Sequence, residues 1–329
     1  MKIVYGVCSE GMGHALRAKA VLECLRGDDI IVCAHGRVRE FLSERAKTRW
    51  VGGLHIVYRN NQVSWWTVPL TALLLPGIIV SIVKEFLFML RWKPDVVVSD
   101  LEACTSYAAK LCGIRVVSIS NVHQNAVTDR KGPLLLRLVD RVENPWPDIF
   151  VITSFWKQKS EDKVIFVPPI MRKSVLTARP TSGKHLLVYQ TSDSNNRLVD
   201  VLQQTGMPCI VYGMGAKPSQ KNVVFRPFSE KTFVADLISC KAVISNGGFG
   251  LMSEALFLGK PVLSEPVRKQ YEQIMNADLL EKKGFGKYAE VITVSVVKQF
   301  LNDLPQYKKN MKNVFRGDAV KKIVEIIRG

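Results

Sequence analysis

The chain has 329 residues, 47% of them hydrophobic and 23% charged, which is enough for two cores of typical size and excludes disorder over any large span. A formal net charge of +17 attracts phosphate, anionic lipid and nucleic acid alike, but no basic helix with interleaved aromatics accompanies it, so nucleic-acid binding is not expected. The seven cysteines lie apart, without C-x-x-C spacing or a zinc-like histidine pattern. With only Lys2 before the first core strand and no cleavage site, free thiols in a reducing cytoplasm are the simplest reading.

KIVYGVC reads as a buried strand, and SEGMGH as a turn that Gly11 and Gly13 close tightly before a helix. His14 stands at that helix start, where the dipole favours a neutral, proton-accepting imidazole. From Ser64 the chain turns unusually apolar, SWWTVPLTALLLPGIIVSIVKEFLFMLRWKP. Pro69, Pro76, Gly77 and the Lys84–Glu85 pair are expected to interrupt this run, so it should not span a bilayer. Two readings stay open: a core or interdomain helix, or a segment lying on an anionic membrane with Trp65 and Trp66 at headgroup level and Lys84, Arg91 and Lys93 toward its end.

KPDVVVSD predicts a parallel strand buried on both faces, with Asp100 at its carboxyl end and a helix following. Ligands of open α/β sheets collect at such ends. A general base needs a carboxylate to orient it, and Asp100 suits His14; capping its own helix is the other reading, and Glu102 and Glu10 are alternatives for the orienting role. The prolines, basic residues and Gly183 of VPPIMRKSVLTARPTSGKH mark a linker over 169–184, dividing a first domain, 1–168, from a second, 185–304. HLLVYQT opens the second α/β set, which PCIVYGMG, NVVFRPF, KAVISNGG and KPVLSEP continue; a basic amphipathic helix occupies 305–329.

In VISNGGFGLMSEALFLGKP a short strand runs into a glycine turn and a helix start. Without Cβ atoms, Gly247, Gly248 and Gly250 let backbone N–H groups approach a ligand, and a diphosphate suits that positive helix end. Ser253 and Glu254 follow on the helix, and Glu272 and Gln273 begin the next one.

Taken together, this segment resembles the donor-binding signature of GT-B-fold, nucleotide-sugar-dependent glycosyltransferases, the group of the UDP-glycosyltransferases and the peptidoglycan N-acetylglucosaminyltransferase. Ser253, Glu254, Gly259, Pro261, Pro266, Glu272, Gln273, Asn276 and Ala277 match its pattern in order. The resemblance implies an α/β fold of two doubly wound Rossmann-like domains facing across a cleft, the first binding the acceptor, the second the donor, with the helix of 305–329 packing back on the first. It implies that His14, oriented by Asp100, deprotonates the acceptor hydroxyl. Glu254 would accept from the ribose hydroxyls, and Glu272 and Gln273 would hold the donor sugar. Thr191 would line the diphosphate side, and Phe228 would touch the base through its backbone. One departure is Asn246, where many UDP-glycosyltransferases have a phosphate-touching histidine; phosphate contact then rests more on backbone amides.

No Asp-x-Asp motif lies on a strand end, so neither metal nor other cofactor is expected. The resulting expectation is an inverting, metal-independent glycosyltransferase. It would move a sugar from a nucleotide sugar, UDP-linked by resemblance, to a hydroxyl of a lipid or cell-envelope glycan precursor at the cytoplasmic face of the membrane. A sugar-nucleotide epimerase on the same fold would need further acid and base carboxylates. A non-catalytic binder of nucleotide or membrane would have no use for intact His14, Glu254, Glu272 and Gln273.

Overall fold

The computed structural model describes residues 1–9, 12–53, 57–59, 62–121, 146–191, 195–215 and 217–329. The chain divides into two compact units. Unit 1 comprises Met1–Val57, Trp65–Ile170 and Phe315–Gly329; unit 2 comprises Tyr58–Ser64 and Met171–Val314.

Unit 1 alternates strand and helix: β1 (Lys2–Val7), α1 (Met12–Cys24), β2 (Asp29–Ala34), α2 (Gly36–Ser43) and β3 (Lys47–Trp50). After a short antiparallel ribbon that belongs to unit 2, β4 (Tyr58–Arg59) and β5 (Gln62–Val63), come α3 (Thr67–Trp92), β6 (Val96–Asp100), α4 (Ala103–Leu111), β7 (Val116–Ser120), β8 (Ile149–Thr153) and β9 (Val164–Val167). The sheet order is β3-β2-β1-β6-β7-β8-β9, with every pairing parallel. Helices cover both faces, which is why β6 and β7 are buried at every position and read as unbroken apolar runs rather than alternating ones.

Unit 2 contains α5 (Lys173–Leu176), β10 (Leu186–Tyr189), α6 (Asn196–Thr205), β11 (Cys209–Tyr212), β12 (Val223–Phe225), α7 (Glu230–Ser239), β13 (Ala242–Ser245), α8 (Phe249–Phe257), β14 (Val262–Ser264), α9 (Tyr271–Lys282), β15 (Gly286–Tyr288), α10 (Val294–Asn302) and α11 (Leu304–Asn310). Its parallel sheet runs β12-β11-β10-β13-β14-β15, the doubly wound order. The strand order reverses between β1 and β6 in unit 1 and between β10 and β13 in unit 2. Those two switch points are where such sheets bind ligands.

Three expectations differ from the structure. The segment after Met171 is held within unit 2 rather than strung as a free linker: Gly183 N donates to Ser239 O at 2.8 Å and Thr181 N to Ile238 O at 3.2 Å. A Cβ at Gly183 would lie 2.1 Å from Ser239 O, so this glycine serves close packing rather than flexibility.

At the other end, α11 stays with unit 2, and the chain rejoins unit 1 only at Phe315, whose N–H donates to Phe155 O at 2.8 Å. Here α12 (Ala319–Arg328) buries Ile323, Ile326 and Ile327 in the unit 1 core, and Arg115 caps it by donating to Ile326 O (2.7 Å) and Ile327 O (3.1 Å).

The third difference is α3, which runs unbroken through the residues expected to interrupt it. Pro69 sits in the first turn, where no helical N–H is needed. Pro76 and Ala72 both lie on the exposed side, so the carbonyl that Pro76 leaves without a donor faces water. Glu85 does not interrupt the inner face because both its oxygens accept from Arg49 of β3, at 2.9 to 3.1 Å. By length and composition alone Pro69–Trp92 would suffice to cross a membrane. Its inner side, with Ile78, Ile82, Phe86 and Met89, packs into the core that also holds Cys104, Ala108 and Ala109 of α4.

Candidate functional site

In unit 1, β1 and β6 deliver their carboxyl ends side by side, Val7 opposite Asp100. His14, in the first turn of α1, places Nδ1 2.7 Å from Asp100 Oδ1. Burial by itself would raise the Asp100 pKa, but the charges of Arg17 and His14 and their hydrogen bonds outweigh it and hold the carboxyl down at about 2. An ionised carboxylate only accepts, so Nδ1 carries the proton and the Nε2 lone pair is left as the basic atom.

The third member of this group is Arg17, which the sequence reading missed. Its Nε donates to Asp100 Oδ2 at 2.7 Å, its Nη2 to Oδ1, and Nη2 lies 3.0 Å from His14 Nδ1. With both nitrogens protonated, it is the shared Oδ1 that holds them together. The signal was present: His14 and Arg17 are three apart on one helix and so share a face.

Because the folded pKa of Asp100 lies below the ordinary carboxylate value, its contribution to stability is present above about pH 4 and lost as pH falls through about 2. A shift of this size is worth on the order of 2 kcal/mol. Denaturant unfolding between pH 5 and pH 2 should therefore fall more steeply for the natural protein than for Asp100→Asn.

Asp100 does not cap its own helix. Glu102 does, its carboxylate accepting from Cys104 N and Thr105 N at 2.8 Å each, so it is not available to orient His14. Gly6 of β1 makes room for this cap: a Cβ there would stand 2.3 Å from Thr105 Oγ1 and 2.7 Å from Glu102 Oε2. Gly6→Ala is expected to lower stability by about 1–3 kcal/mol in chemical denaturation. Gly13 lies inside α1, so it is a helical residue and not part of the turn. Gly11 and Glu10 fall outside the described residues. Trp65 and Trp66 stack at 4.0 Å between ring centroids, and Trp65 is 67% exposed.

At the switch point of unit 2, Asn246 is buried and fully engaged. Its Oδ1 accepts from Thr191 N at 2.8 Å, and its Nδ2 lies 3.1 Å from both Gln190 Oε1 and Glu265 O. It thus ties together the ends of β10, β13 and β14, and its side chain is not available to a phosphate. Gly247 follows with φ +89, and a Cβ there would meet Gln273 O at 2.8 Å, so both conformation and space require glycine. Gly248 and Gly250 are exposed, and among the described residues no side chain caps the start of α8.

Glu254 is buried on α8, and Arg172 clamps it: Nε donates to Oε1 at 2.7 Å and Nη2 to Oε2. Sequence reading missed Arg172 because it lies in the presumed linker. Its guanidinium also stands 5.4 Å from the Phe233 ring centroid, and Phe233 in turn packs at 5.6 Å against the exposed Phe228. Arg172 Nη1, Ser253 Oγ and Ser264 Oγ are buried without a hydrogen-bond partner among the described residues. Gln273 Oε1 accepts from Val267 N at 2.9 Å, and Glu272 sits half-buried in the first turn of α9.

Two parallel, doubly wound units make this an α/β protein with the two Rossmann-like domains of the GT-B fold. The chain belongs to glycosyl transferase family 1, whose sequence model matches residues 1–305. An "Uncharacterized glycosyltransferase" of Methanosarcina mazei is 26% identical, over 96% of this chain and 94% of its own. Among solved structures, CalG4, the calicheamicin glycosyltransferase, superposes with a TM-score of 0.71 at 13% identity, covering 99% of this chain and 97% of its own. Arabidopsis thaliana UGT89C1 complexed with UDP does so at 0.67 and 16%, covering 99% and 98%. At these identities the structures share the fold.

Proposed function

We propose that this glycosyltransferase moves a sugar from a nucleotide sugar to an acceptor hydroxyl by direct, inverting displacement and without a metal. The observation that carries this reading is the couple at the unit 1 switch point, a histidine whose Nδ1 is fixed on an ionised, buried aspartate. Nε2 takes the acceptor proton as the oxygen attacks the anomeric carbon, and Asp100 stabilises the imidazolium that forms.

The departing diphosphate goes to the uncapped start of α8, where backbone N–H groups and the helix dipole receive negative charge. Glu254 retains acceptor capacity for ribose hydroxyls beside the Arg172 fork, while Glu272 and the Gln273 amide hold the sugar. Uridine as the base is supported by UGT89C1, which was solved with UDP.

For the acceptor we favour a lipid-carried hydroxyl met at the cytoplasmic membrane face. Leu73, Val80, Val83, Leu87 and Leu90 form one exposed stripe along α3, with Lys84, Arg91 and Lys93 exposed around it. The only acidic residue of that helix, Glu85, points inward onto Arg49. Such a helix lies on an anionic surface rather than across it.

The test is transfer from a panel of labelled UDP-sugars to membrane lipid extract in EDTA. Label should enter organic-soluble product with inverted anomeric configuration. Label recovered only as an epimerised nucleotide sugar would overturn the reading.

A further inference from the structure

Gln273 of α9 lies directly against the turn proposed for the diphosphate: a Cβ at Gly247 would stand 2.8 Å from Gln273 O and 3.3 Å from Gln273 Cβ. Only 5% of the residue is exposed, yet half of its amide is unpaired. Oε1 accepts from Val267 N at 2.9 Å, and Nε2 has no acceptor among the described residues. A buried amide with its acceptor committed and its N–H groups unpaired meets a ligand as a donor.

The same bond from Val267 fixes the segment that joins β14 to α9. Gln270 N donates to Val267 O at 3.0 Å and closes a turn over Val267, Arg268, Lys269 and Gln270. Lys269, third in that turn, has φ +65, a conformation that glycine or asparagine ordinarily supplies. A long cationic side chain on left-handed backbone is a strain the turn itself does not require, and such outliers collect at ligand sites. Arg268 and Lys269 are both exposed, and neither has an ion-pair partner among the described residues. Glu272, the neighbouring carboxylate, is turned about 100° around the helix from Gln273.

This segment presents donors alone: the Gln273 Nε2 amide beside the phosphate turn, and two cations on the turn that Gln273 anchors. A sugar hydroxyl both donates and accepts, whereas a carboxylate only accepts and takes a guanidinium in two parallel bonds. We propose that the donor sugar carries a carboxylate, as a hexuronic acid does, and that Gln273, Arg268 and Lys269 receive it. The proposal rests on the nucleotide-sugar reading and names the class of sugar; Glu272 is left for a ring hydroxyl. The cations serve the sugar rather than the diphosphate because their turn is tied to the tip of the Gln273 side chain, whereas Gly247 lies against its root.

Calorimetric titration in EDTA compares UDP-glucuronate and UDP-galacturonate with UDP-glucose and UDP-galactose. One uronate should bind about 10–100-fold more tightly than its neutral counterpart, the range for hydrogen bonds to a charged group, and the advantage should shrink at high salt. Arg268→Gln combined with Lys269→Gln should bring that uronate to the level of the neutral sugar, while UDP, which has no carboxylate, binds natural protein and variant alike. Gln273→Glu, which keeps an acceptor for Val267 N, should weaken the uronate more than the neutral sugar, with melting curves confirming that each variant is folded. Equal affinity for uronates and neutral sugars, or a preference that survives both variants, overturns the proposal and leaves nucleotide binding standing. A loss of UDP affinity as large as the loss for the uronate assigns the cations to the diphosphate and overturns it as well. If no UDP-linked compound binds, the donor reading falls and the proposal with it.

Discussion

Replacing His14 by alanine is expected to lower turnover by about 10²–10⁴-fold while leaving nucleotide affinity unchanged. The separation follows from where the atoms are. His14 belongs to unit 1 with Asp100 and Arg17, whereas the uncapped helix start, Glu254 and Phe228 belong to unit 2. A base acts on the acceptor proton, so its loss should appear in kcat and not in the dissociation constant of the donor.

Asp100→Asn should be nearly as damaging. The amide no longer fixes the Nδ1–H tautomer, and Arg17 loses the carboxylate that takes both of its donors. Turnover that survives in His14→Ala would remove the proposed mechanism.

The second large effect is expected at Glu254, where one substitution should disturb both stability and donor binding. Glu254→Ala leaves the Arg172 guanidinium buried and without its anion, which typically destabilises by about 3–5 kcal/mol. If the carboxylate also accepts from ribose, nucleotide affinity should fall by about 1–3 kcal/mol in addition. The double variant Glu254→Leu with Arg172→Leu separates the two effects. Replacing the pair by apolar residues should recover much of the stability, but not the nucleotide affinity. Unchanged nucleotide affinity in either variant would take Glu254 out of the donor site.

Much of this architecture is written locally in the chain. VVVSD and VISNGG announce themselves because a strand buried on both faces must be apolar throughout, and because glycine marks the one turn in which Gly247 takes a positive φ. The His14–Asp100 couple was within reach of sequence reading because Asp100 ends one such strand and His14 follows another. What escaped depends on contacts distant in sequence. Nothing near Glu85 indicates that Arg49 from β3 neutralises it, so a charged pair was read as a break in a helix that is continuous.

Arg172 was hidden by its neighbours, since prolines and basic residues read as linker when its guanidinium in fact lies on a glutamate 82 residues away. Asn246 was recognised as replacing a histidine, but its engagement by three strand ends follows only from the sheet order.

The proposed donor site in unit 2 takes a nucleotide sugar without metal. Calorimetric titration of the purified protein with UDP and UDP-sugars, first in EDTA and then with magnesium, tests it most directly. UDP is expected to bind in EDTA with little change on adding magnesium. Failure to bind any nucleoside diphosphate, or binding that appears only with magnesium, would contradict it.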